Sequence, residues 1–420
     1  MRPSRMRSAG LLAAVVAAAL LAAAPAHADT VVDWNVHATN ALVTTATPPA
    51  PQPPPVQTIH LAMVHGAVYD AVNAIDRRHE PYLVKPRARR WYSKDAAAAT
   101  AAYRVLVSIV PAQQPALQEH LSASLASIPN GRAESGGIAV GEAAAAAMIA
   151  ARTNDGRFGA FRFPVGTKPG QWRPVLPMFV NDPNAWVAHV KPFMIPAQSH
   201  FGSDGPYDLG SRRYAREFDE VKRLGSATSG ERTADQTDAA RFWAEGPMII
   251  TRAVRELSAR FCLKTADNAR LLAMLYLTGA DSLISVWYDK ARWLFWRPIT
   301  AIQEADDDGN PATEADPGWL PLINNPPYPD HPSGLVGVVT AMGETLEDFF
   351  GTDRIAFSAT SMNPPMSTRS FGSFSEAIEE VVDARVWSGI HFRNADEDAA
   401  RIGKQVAHWR DHYYFGKKHH

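Results

Sequence analysis

The sequence predicts an all-α protein made of two packed helical halves. Three observations carry this reading: apolar residues recur at helical spacing in one segment after another, alanine-rich stretches fill much of the first half, and no strand-like alternation stands out. The chain has 420 residues, 46% of them hydrophobic and 20% charged, which is enough for a large core. A formal net charge of −1 argues against nucleic acid as a partner. Cys262 is the single cysteine, so an intramolecular disulfide is impossible, and its neighbours Phe261 and Leu263 suggest a buried helical thiol.

Taken in order, the N-terminus reads as an export signal. Arg2, Arg5 and Arg7 precede an apolar run from Ala9 to Ala24, and Ala26-His27-Ala28 is a small-x-small cleavage pattern. Residues 1–28 are therefore expected to be removed near Ala28, leaving a secreted or extracytoplasmic protein. The run is short for a membrane span, and no later stretch reads as an uninterrupted one, so no integral membrane association is expected. Residues 29–57 read as an N-terminal arm whose tract PPAPQPPP, Pro48 to Pro55, should run as polyproline II.

An N-terminal helical half follows over 58–230. Leu61, Val64, Val68, Val72 and Ile75 fall on one helical face, with His65 expected as a core histidine. Further helices are expected over Ala96 to Ala126, broken at Pro111, and over Gly137 to Ala151, where Gly141 permits close approach of a second helix. Asp155 to Asp208 is rich in Gly, Pro and aromatics and reads as an ordered crossover between the halves. The C-terminal half spans 231–420. Thr233 and Gln236 form a capping box, and Thr265 to Trp296 reads as one long helix or two around Gly279. Asp281 and Asp289 on it are candidates to orient a cation. The acidic loop Glu304 to Trp319 reads as a turn, since it lacks the glycine and terminal glutamate of an EF-hand.

The chemistry concentrates between Lys290 and His391. In KARWLFWRP, Lys290 and Arg297 stand seven apart, two helical turns and so one face, with Pro298 ending the helix. In HPSGL, Ser333 and Gly334 open the apolar run Leu335 to Met342, and a helix start of this kind offers unpaired amides to an anion. In ARVWSGIHF, Arg385 and His391 are six apart, with Gly389 between them to break the helix and turn both inward. Three cations, a Ser-Gly helix start and an imidazole describe a pocket for a multiply charged oxyanion, in which the histidine serves as metal ligand or nucleophile.

These three ordered segments resemble the signature of the vanadium-dependent haloperoxidases and the related acid phosphatases (phosphatidic acid phosphatase type 2). FWRPITAI, PPYPDHPSG, SFGSFSEAIEE and SGIHFRNAD resemble the bacterial secreted haloperoxidase-like branch, as do HLAMVHGAVYDAVNAI and RTADQTDAARFW. The resemblance implies two packed four-helix bundles with the oxyanion site in the second. It implies vanadate as cofactor, with phosphate as a substitute, and peroxide and halide or a phosphoester as substrates; a homo-oligomer is compatible with it. Lys290, Arg297 and Arg385 would bind the oxygens and Ser333 and the Gly334 amide would complete the cradle. His391 would be the vanadium ligand or the phosphohistidine nucleophile, and Trp287 and Tyr328 fall where haloperoxidases place aromatics near the halide. One position departs: the family has a histidine as acid/base where this chain has Leu335. His331, then Asp330, are the candidates to replace it.

Overall fold

The computed structural model describes residues 29–46 and 51–418, so the export signal and part of the proline tract lie outside the described residues. Thirteen α-helices are formed there: α1 (Thr30–Thr39), α2 (Pro54–Asp76), α3 (Lys94–Ile109), α4 (Gln114–Ala126), α5 (Arg132–Ala151), α6 (Arg212–Leu224), α7 (Ala234–Trp243), α8 (Met248–Arg260), α9 (Thr265–Trp293), α10 (Pro298–Gln303), α11 (Gly334–Phe350), α12 (Phe374–Trp387) and α13 (Arg393–Tyr413). The all-α expectation holds.

Helix α9 is the axis of the molecule. One side packs on α2, which itself packs on α3 and α5, and the other packs on α11 and α13, against which α12 is laid. Its side chains from Leu271 to Trp287 are buried without a break, and α2 is buried from Pro55 to Ile75. Each has apolar neighbours all round, which is how a helix reads when protein surrounds it. Contrary to the sequence expectation, α9 is long and apolar enough to cross a membrane by length and composition, but 94% of its most apolar window is covered by protein.

Local chemistry explains most boundaries. Ser93, Ser211 and Ser373 accept first-turn amides of α3, α6 and α12, and the Thr233–Gln236 capping box opens α7. Pro111 ends α3 and starts a short 3₁₀ turn before α4. Gly141 lies against α3, where an added Cβ would sit 2.6 Å from the Ala97 carbonyl oxygen. The polyproline expectation is corrected at its end: Pro54 and Pro55 open α2, because the missing N–H of proline costs nothing in a first helical turn. Cys262 is likewise corrected. It is exposed in a left-handed conformation just past the end of α8, not in a buried helix.

The absence of strands is corrected by one antiparallel hairpin, β1 (Phe357–Ser361) with β2 (Ser367–Phe371). Its first strand alternates buried Phe357, Ala359 and Ser361 with outward residues. Five residues of alternation are too few to stand out from a helical background.

The crossover buries Phe163, Trp172, Trp186 and Val187 in the main core, and carboxylates on α9 hold its backbone. Asp281 accepts the amides of Phe193, Met194 and Ile195 at 2.6, 2.6 and 2.9 Å, and Asp289 accepts the amide and hydroxyl of Ser203. Neither acid orients a pocket cation, as the sequence had suggested; both satisfy backbone that a long irregular segment leaves unpaired. On α2, Asp70 does the same for Tyr82, Leu83 and Val84. His65 is a core histidine, stacked on Tyr276 and hydrogen-bonded to Asn35. Asp281→Ala should therefore lower the unfolding free energy by about 3 kcal/mol or more, since it strands three buried amides. Urea denaturation measures this, with far-UV circular dichroism as the probe.

Candidate oxyanion site

The predicted site residues meet inside the C-terminal bundle. Lys290, on the last turn of α9, is fully buried and donates to the carbonyls of Pro329 and Asp330, both at 2.8 Å. Arg297 does not share a helical face with it. Helix α9 stops at Trp293, Leu294 turns left-handed (φ 50°), and Arg297 becomes the N-cap residue of α10. Pro298 dictates this: it cannot continue α9 but suits the first position of a new helix. The two cations still converge, lying 5.2 and 5.1 Å from the ring centre of Tyr328.

Arg297 donates to the Tyr328 carbonyl through Nε (2.9 Å) and to the Ile390 carbonyl through Nη1 (2.7 Å). The same Nη1 stands 3.2 Å from His391 Nε2. Arg385 occupies the last turn of α12. Past it, Gly389 adopts φ 78° with its Cα against Gly225, where a Cβ would meet the Gly225 carbonyl oxygen at 2.4 Å. Only glycine combines that conformation with that approach, and the turn brings His391 back towards Arg297. Ser333 caps α11 by position but not by its hydroxyl; its amide donates to the Ala395 carbonyl at 2.8 Å. A Cβ on Gly334 would lie 2.5 Å from the Trp287 ring, so the indole closes directly over the start of α11.

Two carboxyls were not placed in the site by sequence reasoning as partners of these groups. Asp330 lies 2.7 Å from His391 Nδ1 and 3.7 Å from Arg297 Nη1. Asp396, in the first turn of α13, faces Ser333 and Arg385. Its only sequence signal is its place five residues after His391, which is silent without the fold.

Burial governs the protonation of all of them. It pushes Asp330 up to about 7 despite Arg297 and Lys290, and holds Asp396 well above the carboxylate range. Burial, reinforced by Arg297, lowers Lys290 well below the usual ammonium value. Burial, then Arg297, Lys290 and Arg385, holds His391 neutral.

The residues fit an oxyanion. Arg297 Nη2 and Arg385 Nε are buried without a hydrogen-bond partner, and Ser333 Oγ has none of good geometry. Buried donors of this kind are rarely left open, and an anion's oxygens are the partners they lack. Among the described residues no three His, Cys, Asp or Glu side chains gather to hold a bare metal ion.

Leu335 is half-buried and lines a cavity of about 90 Å³ with Trp287, Tyr328, Gly334, Val338 and Arg385. Pro54, Pro55 and Thr58 of α2 form its far side, so the first half of the chain helps to shape the mouth. Asp182 of the crossover does not line the cavity, but its carboxyl faces the Trp287 side chain that does. His331 does not reach this cavity. It is buried with Nε2 3.2 Å from Asp398, which Arg401 also holds. The expected swing of His331 into the Leu335 position meets that pairing as an obstacle.

Residues 270–415 match the family model described as the second helical-bundle domain of VCPO. The chain is 28% identical to the vanadium chloroperoxidase of Curvularia inaequalis over 32% of its own length, and the match spans about a quarter (27%) of that relative. Among solved structures it resembles a bacterial vanadium-dependent iodoperoxidase, with a TM-score of 0.76, 21% identity and coverage of 93% of this chain and 97% of that one. It also resembles a bacterial vanadium-dependent chloroperoxidase in its holo form, with a TM-score of 0.68, 17% identity and coverage of 88% and 94%. The fold is thus that of these enzymes, and residues 270–415 resemble the second helical bundle of the vanadium haloperoxidases.

Gly334→Ala should force the added methyl into Trp287 and cost about 1–3 kcal/mol, as overpacking does. A shift in tryptophan fluorescence should accompany the lower melting temperature.

Proposed function

We propose that the protein is a vanadate-dependent haloperoxidase-like enzyme that oxidises halide with hydrogen peroxide, with turnover reduced by Leu335. The observation that carries this reading is the set of open buried donors on Arg297 and Arg385 beside the neutral His391. Lys290, Arg297 and Arg385 would neutralise the anion, Ser333 and the first amides of α11 would orient its oxygens, and Nε2 of His391 would face its central atom. Bound vanadate supplies a Lewis-acidic centre that activates peroxide towards halide. The protein's own part is to bind and orient that anion and to exclude water with Trp287 and Tyr328. In the described structure it offers no histidine at position 335 to move a proton.

The same geometry serves a phosphatase, because a neutral imidazole held near Arg297 can also attack phosphorus. Leu335 itself favours a third reading, a silent oxyanion-binding homologue. Vanadate and peroxide with iodide or bromide, followed by a phosphomonoester, distinguish the three on one sample. On the sequence pattern of residues 1–28 we place the enzyme's work outside the cytoplasm, with small molecules as its partners.

Orthovanadate should raise the melting temperature of the wild type, and Arg385→Ala should remove most of that gain. An unchanged wild-type melting curve in millimolar vanadate and phosphate would refute the site. Leu335→His should raise haloperoxidase or phosphatase turnover by about tenfold or more, within the range of general acid–base catalysis. If it does not, and His331→Ala silences the wild type instead, the proton passes through His331.

A further inference from the structure

The loop Tyr328–Ser333 is already held by its backbone. Lys290 takes the Pro329 and Asp330 carbonyls, Arg297 takes the Tyr328 carbonyl, and the Asp330 amide donates to the Phe295 carbonyl at 3.0 Å. The Asp330 side chain adds one further tie, since its carboxyl accepts from the Phe392 amide. It is completely buried, and its carboxyl is directed at His391 and Arg297.

The two nitrogens of His391 meet opposite chemistry. Arg297 can only donate, so its 3.2 Å contact requires a lone pair on Nε2. A neutral ring with Nε2 bare carries its proton on Nδ1, and Nδ1 is the nitrogen 2.7 Å from Asp330 Oδ1. The opposite tautomer would set a ring lone pair against a carboxyl oxygen and an N–H against a guanidinium. The Nδ1 contact is close but not well aligned, as is common before a site is filled.

We propose that Asp330 is the positioning residue of His391: its carboxyl keeps the imidazole proton on Nδ1 and so leaves the Nε2 lone pair facing the oxyanion. This rests on the oxyanion reading of the site. A partner on the second ring nitrogen is what sets tautomer and orientation in a ligating histidine. Arg297 then has two uses in turn. It covers Nε2 when the anion is absent, and its guanidinium moves to the anion's oxygens when the anion arrives.

Two measurements test this. Protein carrying ¹⁵N-labelled histidine, without added oxyanion and near neutral pH, should show His391 protonated at Nδ1, with the resonance assigned by its loss in His391→Gln. A ring protonated at Nε2 overturns the proposal whatever the protein binds. Calorimetric titration of Asp330→Asn with vanadate and with phosphate supplies the second test. Asparagine removes whatever negative charge Asp330 carries beside the three cations, so phosphate affinity should stay unchanged or rise. Vanadate affinity should fall about tenfold or more, the usual effect of losing the outer partner of a ligating histidine. In His391→Ala the same substitution should no longer act selectively on vanadate. Equal losses for both anions, or an undiminished vanadate-selective loss without His391, overturn the proposal. If the wild type binds neither anion, the oxyanion reading fails and the spectrum alone decides the role of Asp330.

Discussion

The structure is governed by the difficulty of keeping three cations inside a helical core. Lys290 and Arg297 are fully buried and Arg385 nearly so, and unpaired charge in such a place is costly. The fold answers with carbonyls from two irregular loops, the carboxyls of Asp330 and Asp396, and the faces of Trp287 and Tyr328. The cations in turn organise those loops: the segments around Tyr328 and Ile390 have no regular structure of their own. They are held by the groups whose charge they help to bear.

Much of this was legible in the sequence because the relevant residues sit at chain punctuation. Pro298, the Ser333-Gly334 pair and Gly389 mark where helices must stop or start, and the functional side chains lie beside them. The capping box at Thr233 and the break at Pro111 were legible for the same reason. The helix break between Lys290 and Arg297 was not, because spacing alone cannot tell a continuous helix from two helices joined by a left-handed residue at Leu294.

What the sequence could not convey is pairing across distance. Asp330 beside His391, Asp396 beside Ser333, and Asp281 beneath the crossover are contacts between segments whose separation along the chain carries no period. Carboxylates look alike in a sequence whether they face water, an amide or an imidazole. Only the fold separates those that hold backbone alone from Asp330, which also faces a ring nitrogen.

Helix α9 carries a last consequence. The recognised domain begins at residue 270, within the second turn of this helix. Yet α9 is the wall against which α2 is packed, and α2 closes the mouth above Leu335. A unit cut at that border would present an oily stripe to solvent and lose one side of its entrance. The two halves share a spine, and neither can be exchanged without redesigning the other.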